Sequence, residues 1–205
     1  MTVSIQYNSE FKDYTLSSYL QQWATQNGDI KDTGAEGYSK DFGQFAGGGY
    51  FDGTQYSVSS SHGTGTAMIV EGELKYAFAQ HTFYGKMEGL ELGKDVVNNP
   101  NGTDNKQLSE VQLKLCNLDI TGDYDAGKTV AENHQGEMHK GTYGLMRGNA
   151  EPLLEILQAK GIDINTPLKD MEIASQFDTS SEMMADAPMI DTVGAYDGGD
   201  ILMAA

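Results

Sequence analysis

Between Thr54 and Ile120 the chain alternates apolar and polar residues in short runs, and that period leaves few folds open. The runs are TQYSVSS (54–60), AMIVEG (67–72), ELKYAF (73–78), HTFYGKMEGLEL (81–92) and VQLKLCNLDI (111–120). Successive side chains of an extended strand leave opposite faces, so a period of two marks a half-buried strand. In the last run the spacing predicts Val111, Leu113 and Leu115 on one face, with Gln112 and Lys114 on the other. Antiparallel strands with one packed face and one wet face fit this alternation.

Helical spacing flanks the strands. Leu16, Tyr19, Leu20, Trp23 and Ala24 form one apolar stripe, and Gly28 follows as a stop. After Gly127 the helical period returns, first in HQGEMHKGTYGLMRG (134–148). Asn149 then caps a helix with Pro152 in its first turn, Leu153, Leu154 and Leu157 inside, and Gly161 at its end. Thr166 and Pro167 open a last predicted helix through Leu168, Met171 and Ala174. Strands followed by helices predict an α+β fold, with the helices packed on one face of an antiparallel sheet.

The connections differ in kind. From Asp29 to Gly53 glycines and small polar residues dominate, including GGGY at 47–50. A structureless stretch beyond about 12–15 residues inside a compact domain is commonly functional. NNPNGTDNK (98–106) reads as a turn between strands. Residues 1–176 read as a single domain, and 177–205 as a small, acidic, aperiodic tail expected to be disordered.

Charge and cysteine count remove several function classes. With 30 acidic against 13 basic residues and a formal net charge of −17, the surface repels phosphate backbones and anionic lipid heads. That argues against nucleic acid and membrane surfaces as partners. Cys116 is the only cysteine, so an internal disulfide and a cysteine-held metal cluster are both excluded. The start, MTVSIQYNSE, has neither the basic residues nor the apolar run of a secretory signal peptide. No stretch approaches the roughly 18–20 apolar residues that span a membrane.

Signs of catalysis are missing. His134 and His139 superficially resemble a zinc-protease pair, but that chemistry needs a spacing of four. At five they stand about 140° apart round a helix. Asp119, Asp123 and Asp125 lack the glycine and glutamate that complete a calcium loop. Neither a serine–histidine–acid set nor a phosphate-cradling loop is present.

Tyr76 and His81 remain, five residues apart across a short turn. One reading is packing: a sheet tyrosine on the face of Leu74 and Phe78, with His81 merely in the turn. The other is chemical. A phenol beside an imidazole can give its proton to the ring nitrogen, and the phenolate is an anionic ligand suited to ferric iron and known among haem axial ligands. Phe78, Phe83 and Tyr84 would suit the flat face of a macrocycle.

Five motifs then occur in a telling order: SIQYNSEFKDYTLSSYLQQWATQNGDI (4–30), FDGTQY (51–56), EGELKYAFAQHTFYGK (71–86), MHKGTYGLM (138–146) and an alanine-ending C-terminus. Through nearly its whole length the chain resembles the HasA family of secreted bacterial haemophores. The resemblance implies an α+β fold with a strongly curved antiparallel sheet, backed by helices, and one ferric haem b (iron protoporphyrin IX) between two loops. It implies Tyr76 as axial iron ligand, His81 as its hydrogen-bonded partner, and Phe51, Phe78, Thr82, Phe83, Tyr143 and Met146 along the haem.

Many members carry a second axial ligand, a histidine, in the first loop. Here the loop reads GDIKDTGAEGY (28–38) with Asp32 at that position, and no histidine precedes His62. The expectation is iron held by Tyr76 without a first-loop ligand. By the same resemblance the protein is secreted through an ABC-type exporter that reads the C-terminal tail. It would take haem, free or from host haemoproteins, and pass it to a cognate outer-membrane receptor. The rival reading is a calcium-dependent exported interaction or adhesion protein without haem, which lacks its expected glycine–aspartate repeats here.

Overall fold

The computed structural model describes residues 2–178. Seven strands form one sheet: β1 (Ser4–Asn8), β2 (Gln44–Ala46), β3 (Asp52–Ser59), β4 (Thr66–Ala77), β5 (Thr82–Asn98), β6 (Lys106–Gly122) and β7 (Ala174–Phe177). Their order is β2-β3-β4-β5-β6-β1-β7. Every neighbouring pair is antiparallel except β1 and β7, which run parallel. The helices are α1 (Leu16–Asn27), α2 (Val130–Asn133), α3 (Glu137–Met146) and α4 (Glu151–Ala159).

The alternation of β4 sorts two clusters. Met68 and Val70 join the large core, which also takes residues from α1, α3 and α4, while Ala67 and Ile69 join a small cluster with Leu108, Val111 and Phe177. Adjacent residues point to opposite faces, so the helices cover one face only. The α1 stripe of Leu16, Tyr19, Leu20, Trp23 and Ala24 is buried to 2% exposure or less. Each such aliphatic side chain contributes about 1.5–3 kcal/mol by leaving water. A reciprocal box between Thr15 and Ser18 starts this helix.

Bulges bend the long strands. AMIVEG and ELKYAF prove to be one strand, β4, whose register against β5 slips between Glu71 and Gly72. Gly72 sits at φ +149, and a Cβ there would lie 2.1 Å from the Lys86 carbonyl oxygen, so only glycine fits this bulge. A second slip, where Leu92 faces Leu113 and Gly93 faces Val111, makes Gln112 an extra residue of β6. That corrects the expected faces. Val111 falls in the small cluster, Leu113 and Leu115 in the large one, and Gln112 accepts a hydrogen bond from Tyr19 of α1 at 3.0 Å.

The predicted helix after Pro167 is also corrected. Leu168–Asp170 makes a single 3-10 turn, and the chain then extends into β7, where Phe177 pairs with Asn8 and is buried. Strand structure therefore reaches one residue past the expected domain boundary at 176. The rest of the expected tail, 179–205, lies outside the described residues. The cap of α4 is Ala150, though the Asn149 side chain does accept from the Glu151 amide at 3.0 Å.

Candidate functional site

The β4–β5 hairpin turns through a one-turn 3-10 helix, Phe78–Gln80, and then through His81 at φ 51. A left-handed residue other than glycine is uncommon, and histidine is among the side chains that tolerate it. This conformation folds His81 back on the strand, where its Nδ1 lies 2.9 Å from the Tyr76 hydroxyl. Burial, and then the Tyr143 phenol, raise the pKa of Tyr76. The free phenol is therefore neutral, and its hydroxyl is placed to donate to His81 Nδ1.

Aromatic rings surround the pair. Tyr76 rests on Phe83 with ring centroids 4.9 Å apart, and its amide donates to the Phe51 carbonyl at 2.8 Å. Phe51 and Phe78 stack at 5.3 Å, yet they remain 39% and 62% exposed. Tyr50, 86% exposed, stands edge-on to Phe51 at 4.7 Å. Three exposed rings in mutual contact make the kind of apolar patch that binding surfaces use. Sequence reasoning missed Tyr50, although an aromatic directly after GGG was a usable signal.

Other expected site residues have different surroundings. Thr82 is fully buried and its hydroxyl donates to the Gln80 carbonyl at 3.1 Å, so it braces the turn. Phe83 is buried between Tyr76 and Tyr56. Met146 is buried 3.8 Å from the Tyr56 hydroxyl, and its carbonyl accepts from the Ile30 amide at 3.0 Å. It therefore forms floor and loop anchor. Tyr143, half-buried on α3, has the Lys31 ammonium and the Arg147 guanidinium each 5.9 Å from its ring centroid.

That lysine belongs to the first loop, which is fastened at its root. The Arg147 Nε and Nη2 donate to the two Asp29 carboxylate oxygens at 2.6 and 2.9 Å, holding that carboxyl below the usual range. His62 Nε2 lies 2.7 Å from the Asp29 carbonyl oxygen, and the Tyr38 hydroxyl donates to the Ile30 carbonyl. Gly28, at φ +74, lets His62 approach, since a Cβ would sit 2.7 Å from its ring. Beyond this root the chain from Lys31 to Gly34 is exposed, Asp32 included.

The sequence comparison with a zinc helix put His134 and His139 on one element, and the structure separates them. His134 follows α2 and His139 lies within α3, with their rings stacked at 3.9 Å and 17°. His134 Nε2 lies 2.8 Å from the Gln80 carbonyl oxygen, and the buried His139 accepts the Phe83 amide on Nδ1 at 3.2 Å. Burial first, and His134 second, lower the His139 pKa to about 4. Asp119 pairs with Lys86 at 3.0 Å, and the Asp125 carboxylate accepts from the Gly127 amide. Among the described residues no three histidine, cysteine or acidic side chains converge to hold a metal ion, and no helix is long and apolar enough to cross a membrane.

Comparison with known proteins gives this geometry a family. The family model for heme-binding protein A (HasA) matches residues 1–205. The chain is 29% identical to the hemophore HasA of Serratia marcescens over 196 residues, covering 90% of this chain and 100% of that protein. Two solved structures of the hemophore HasA from Yersinia pestis superpose with a TM-score of 0.81, one apo and one holo. They are 48% and 47% identical, and each match covers 86% of this chain and 99% of the other. A whole-chain family match, with the same fold at nearly half identity, makes this chain a member of the HasA family.

Proposed function

We propose that this protein is an extracellular haemophore. It captures ferric haem b through Tyr76 and delivers it to a cognate outer-membrane receptor for iron acquisition. The observation that carries the reading is the 2.9 Å contact between the Tyr76 hydroxyl and His81 Nδ1, beside the exposed Phe51–Phe78 stack. A phenol with a raised pKa is a poor ligand until its proton leaves, and His81 Nδ1 is the acceptor in place for it. The phenolate then supplies the charge that ferric iron demands. Phe51 and Phe78 offer apolar faces to the macrocycle, while Phe83 and Met146 close the floor. Tyr143, with Lys31 and Arg147 at its ring, lies toward the first loop.

No chemical conversion is needed, and the role is binding rather than catalysis. Membership of the HasA family and the likeness to a holo structure support haem as the cargo. Secretion through an ABC-type exporter, capture from host haemoproteins and receptor handover follow from that membership as parts of the same proposal. Hemin titrated into the purified protein tests it. One equivalent should produce a sharpened Soret band and a tyrosinate-to-iron charge-transfer band. A spectrum that remains that of free hemin would overturn the reading.

A further inference from the structure

We propose that His139, with His134 stacked on it, is a positioning residue for the Tyr76–His81 pair. The inference rests on the haem reading above and extends it to two side chains outside the Tyr76–His81 contact. It starts from the end of the hairpin. Tyr76 and Phe83 face each other in the β4–β5 register as a pair whose amides both point away from that pairing. The Tyr76 amide donates to the carbonyl of Phe51, the residue just before β3, and the Phe83 amide donates to His139 Nδ1. Phe83 is 5% exposed, so its amide has no water to fall back on. His139 must be neutral with its proton on Nε2, because a charged ring has no acceptor.

The turn itself is held by neighbours of the same ring. The Gln80 carbonyl lies 2.8 Å from His134 Nε2. The Gln80 side chain accepts from Asn133 at 2.6 Å and donates to the Lys128 carbonyl at 3.2 Å. The two imidazoles thus grip the chain on either side of His81: one at Gln80, one at Phe83. Stacking fixes their separation, and hence the span that the left-handed His81 must bridge. Partners behind a metal's own ligands orient those ligands, and losing one commonly costs about 10–100-fold in metal affinity. Here the orientation concerned is that of His81 Nδ1 toward the Tyr76 hydroxyl.

Two substitutions separate positioning from bulk. His139→Asn puts an acceptor oxygen close to the place of Nδ1, whereas His139→Phe keeps a ring in the stack and removes the acceptor. Hydrogen exchange at the Phe83 amide of the haem-free protein reads the contact directly. It should accelerate in His139→Phe and remain slow in His139→Asn. Haem dissociation should then be about tenfold faster in His139→Phe, with a weakened tyrosinate band, and near the wild-type rate in His139→Asn. If His139→Phe does not fold, His134→Phe removes the hold on Gln80 alone and should shift the same band in the same direction. The proposal fails if the acceptor-free variant keeps the wild-type rate and spectrum. It fails equally if both His139 variants lose haem only in proportion to their thermal destabilisation. A wild-type protein that does not bind hemin would sink the haem reading instead, leaving the exchange result to stand by itself.

Discussion

The turn from Phe78 to Phe83 and the loop from Gly28 to Tyr38 are the two segments that the family resemblance sets about the haem, and they are built on opposite plans. Within the turn Gln80, His81, Thr82 and Phe83 each make a hydrogen bond, two of them to neighbouring histidines. The loop is hydrogen-bonded to the rest of the fold at its root, through Asp29 and Ile30, and Tyr38 closes it on the Ile30 carbonyl, while Lys31 to Gly34 are exposed with the Lys31 ammonium toward the Tyr143 ring. A metal ligand needs its geometry set in advance, and a tethered turn provides that. A loop with a fixed root and a free crest suits covering a ligand without coordinating it. The chemistry follows the same division: the hairpin carries the Tyr76 phenol and the His81 imidazole, and the loop carries Asp32.

The sharpest way to break this contrast is Tyr76→Ala. Removing the phenol should weaken hemin binding about 100-fold or more, equivalent to ~2.7 kcal/mol, and abolish the charge-transfer band. Tyr76→Phe should retain some apolar uptake without that band. Isothermal titration with parallel absorption spectra checks both. Unchanged affinity and spectrum in Tyr76→Ala would move the ligand elsewhere, and the turn would lose its special standing.

Next in size is the acid sensitivity of the turn's support. In the fold His139 is held at about 4, against 6.5 for the free side chain. Between those values the unfolded chain binds the extra proton, so folding stability rises with pH across the window. The contribution is complete above about pH 6.5 and is lost as pH falls toward 4. At 1.36 kcal/mol per unit the full shift amounts to ~3 kcal/mol. Urea midpoints of the haem-free protein, measured across that range, should fall more steeply for wild type than for His139→Asn. Parallel curves would show that His139 is not buried neutral.

The loop's root should matter less. The Asp29–Arg147 pair is about one-third exposed on each side, so its loss through Asp29→Asn should cost ~0.5–1 kcal/mol. Because Arg147 holds the Asp29 carboxyl below its usual range, the pair persists above ordinary carboxylate pH and weakens as pH drops through that lowered value. Haem dissociation should quicken modestly with an unaltered spectrum. A changed spectrum would mean that the root governs coordination.

How far these features could be read from sequence depends on how local they are. Tyr76 and His81 are neighbours across a hairpin, and alternation in the flanking strands was enough to bring them together. The sheet's centre was legible for the same reason. Its edge was not. β1 offers only two buried residues, Ile5 and Tyr7, and its partners are far along the chain. The spacing of Leu168, Met171 and Ala174 imitates a helix, yet the 3-10 turn stops at Asp170 and Ala174 already opens β7. The slip that turns Val111 away from Leu113 depends on a single unpaired residue, which no period reveals. His134 and His139 were judged as a pair on one helix. Their real partners, Gln80 and Phe83, lie more than fifty residues earlier.

The smallest effect is the most decisive for the contrast. Asp32 is exposed, its amide donates to the Asp29 carbonyl at 2.9 Å, and a carboxylate there has no hold on the turn. Asp32→Ala should therefore leave both hemin affinity and spectrum within error of wild type, since exposed polar substitutions away from buried contacts change little. Asp32→His sharpens the same point. An imidazole on the free crest would offer the iron a nitrogen ligand, and if the crest can reach the iron, part of the spectrum should move toward the low-spin form. An unmoved spectrum in Asp32→His would mean that the crest covers the haem without approaching its iron. A large change in Asp32→Ala would overturn the division altogether, because the loop would then be supplying or ordering a ligand that the turn was thought to provide alone.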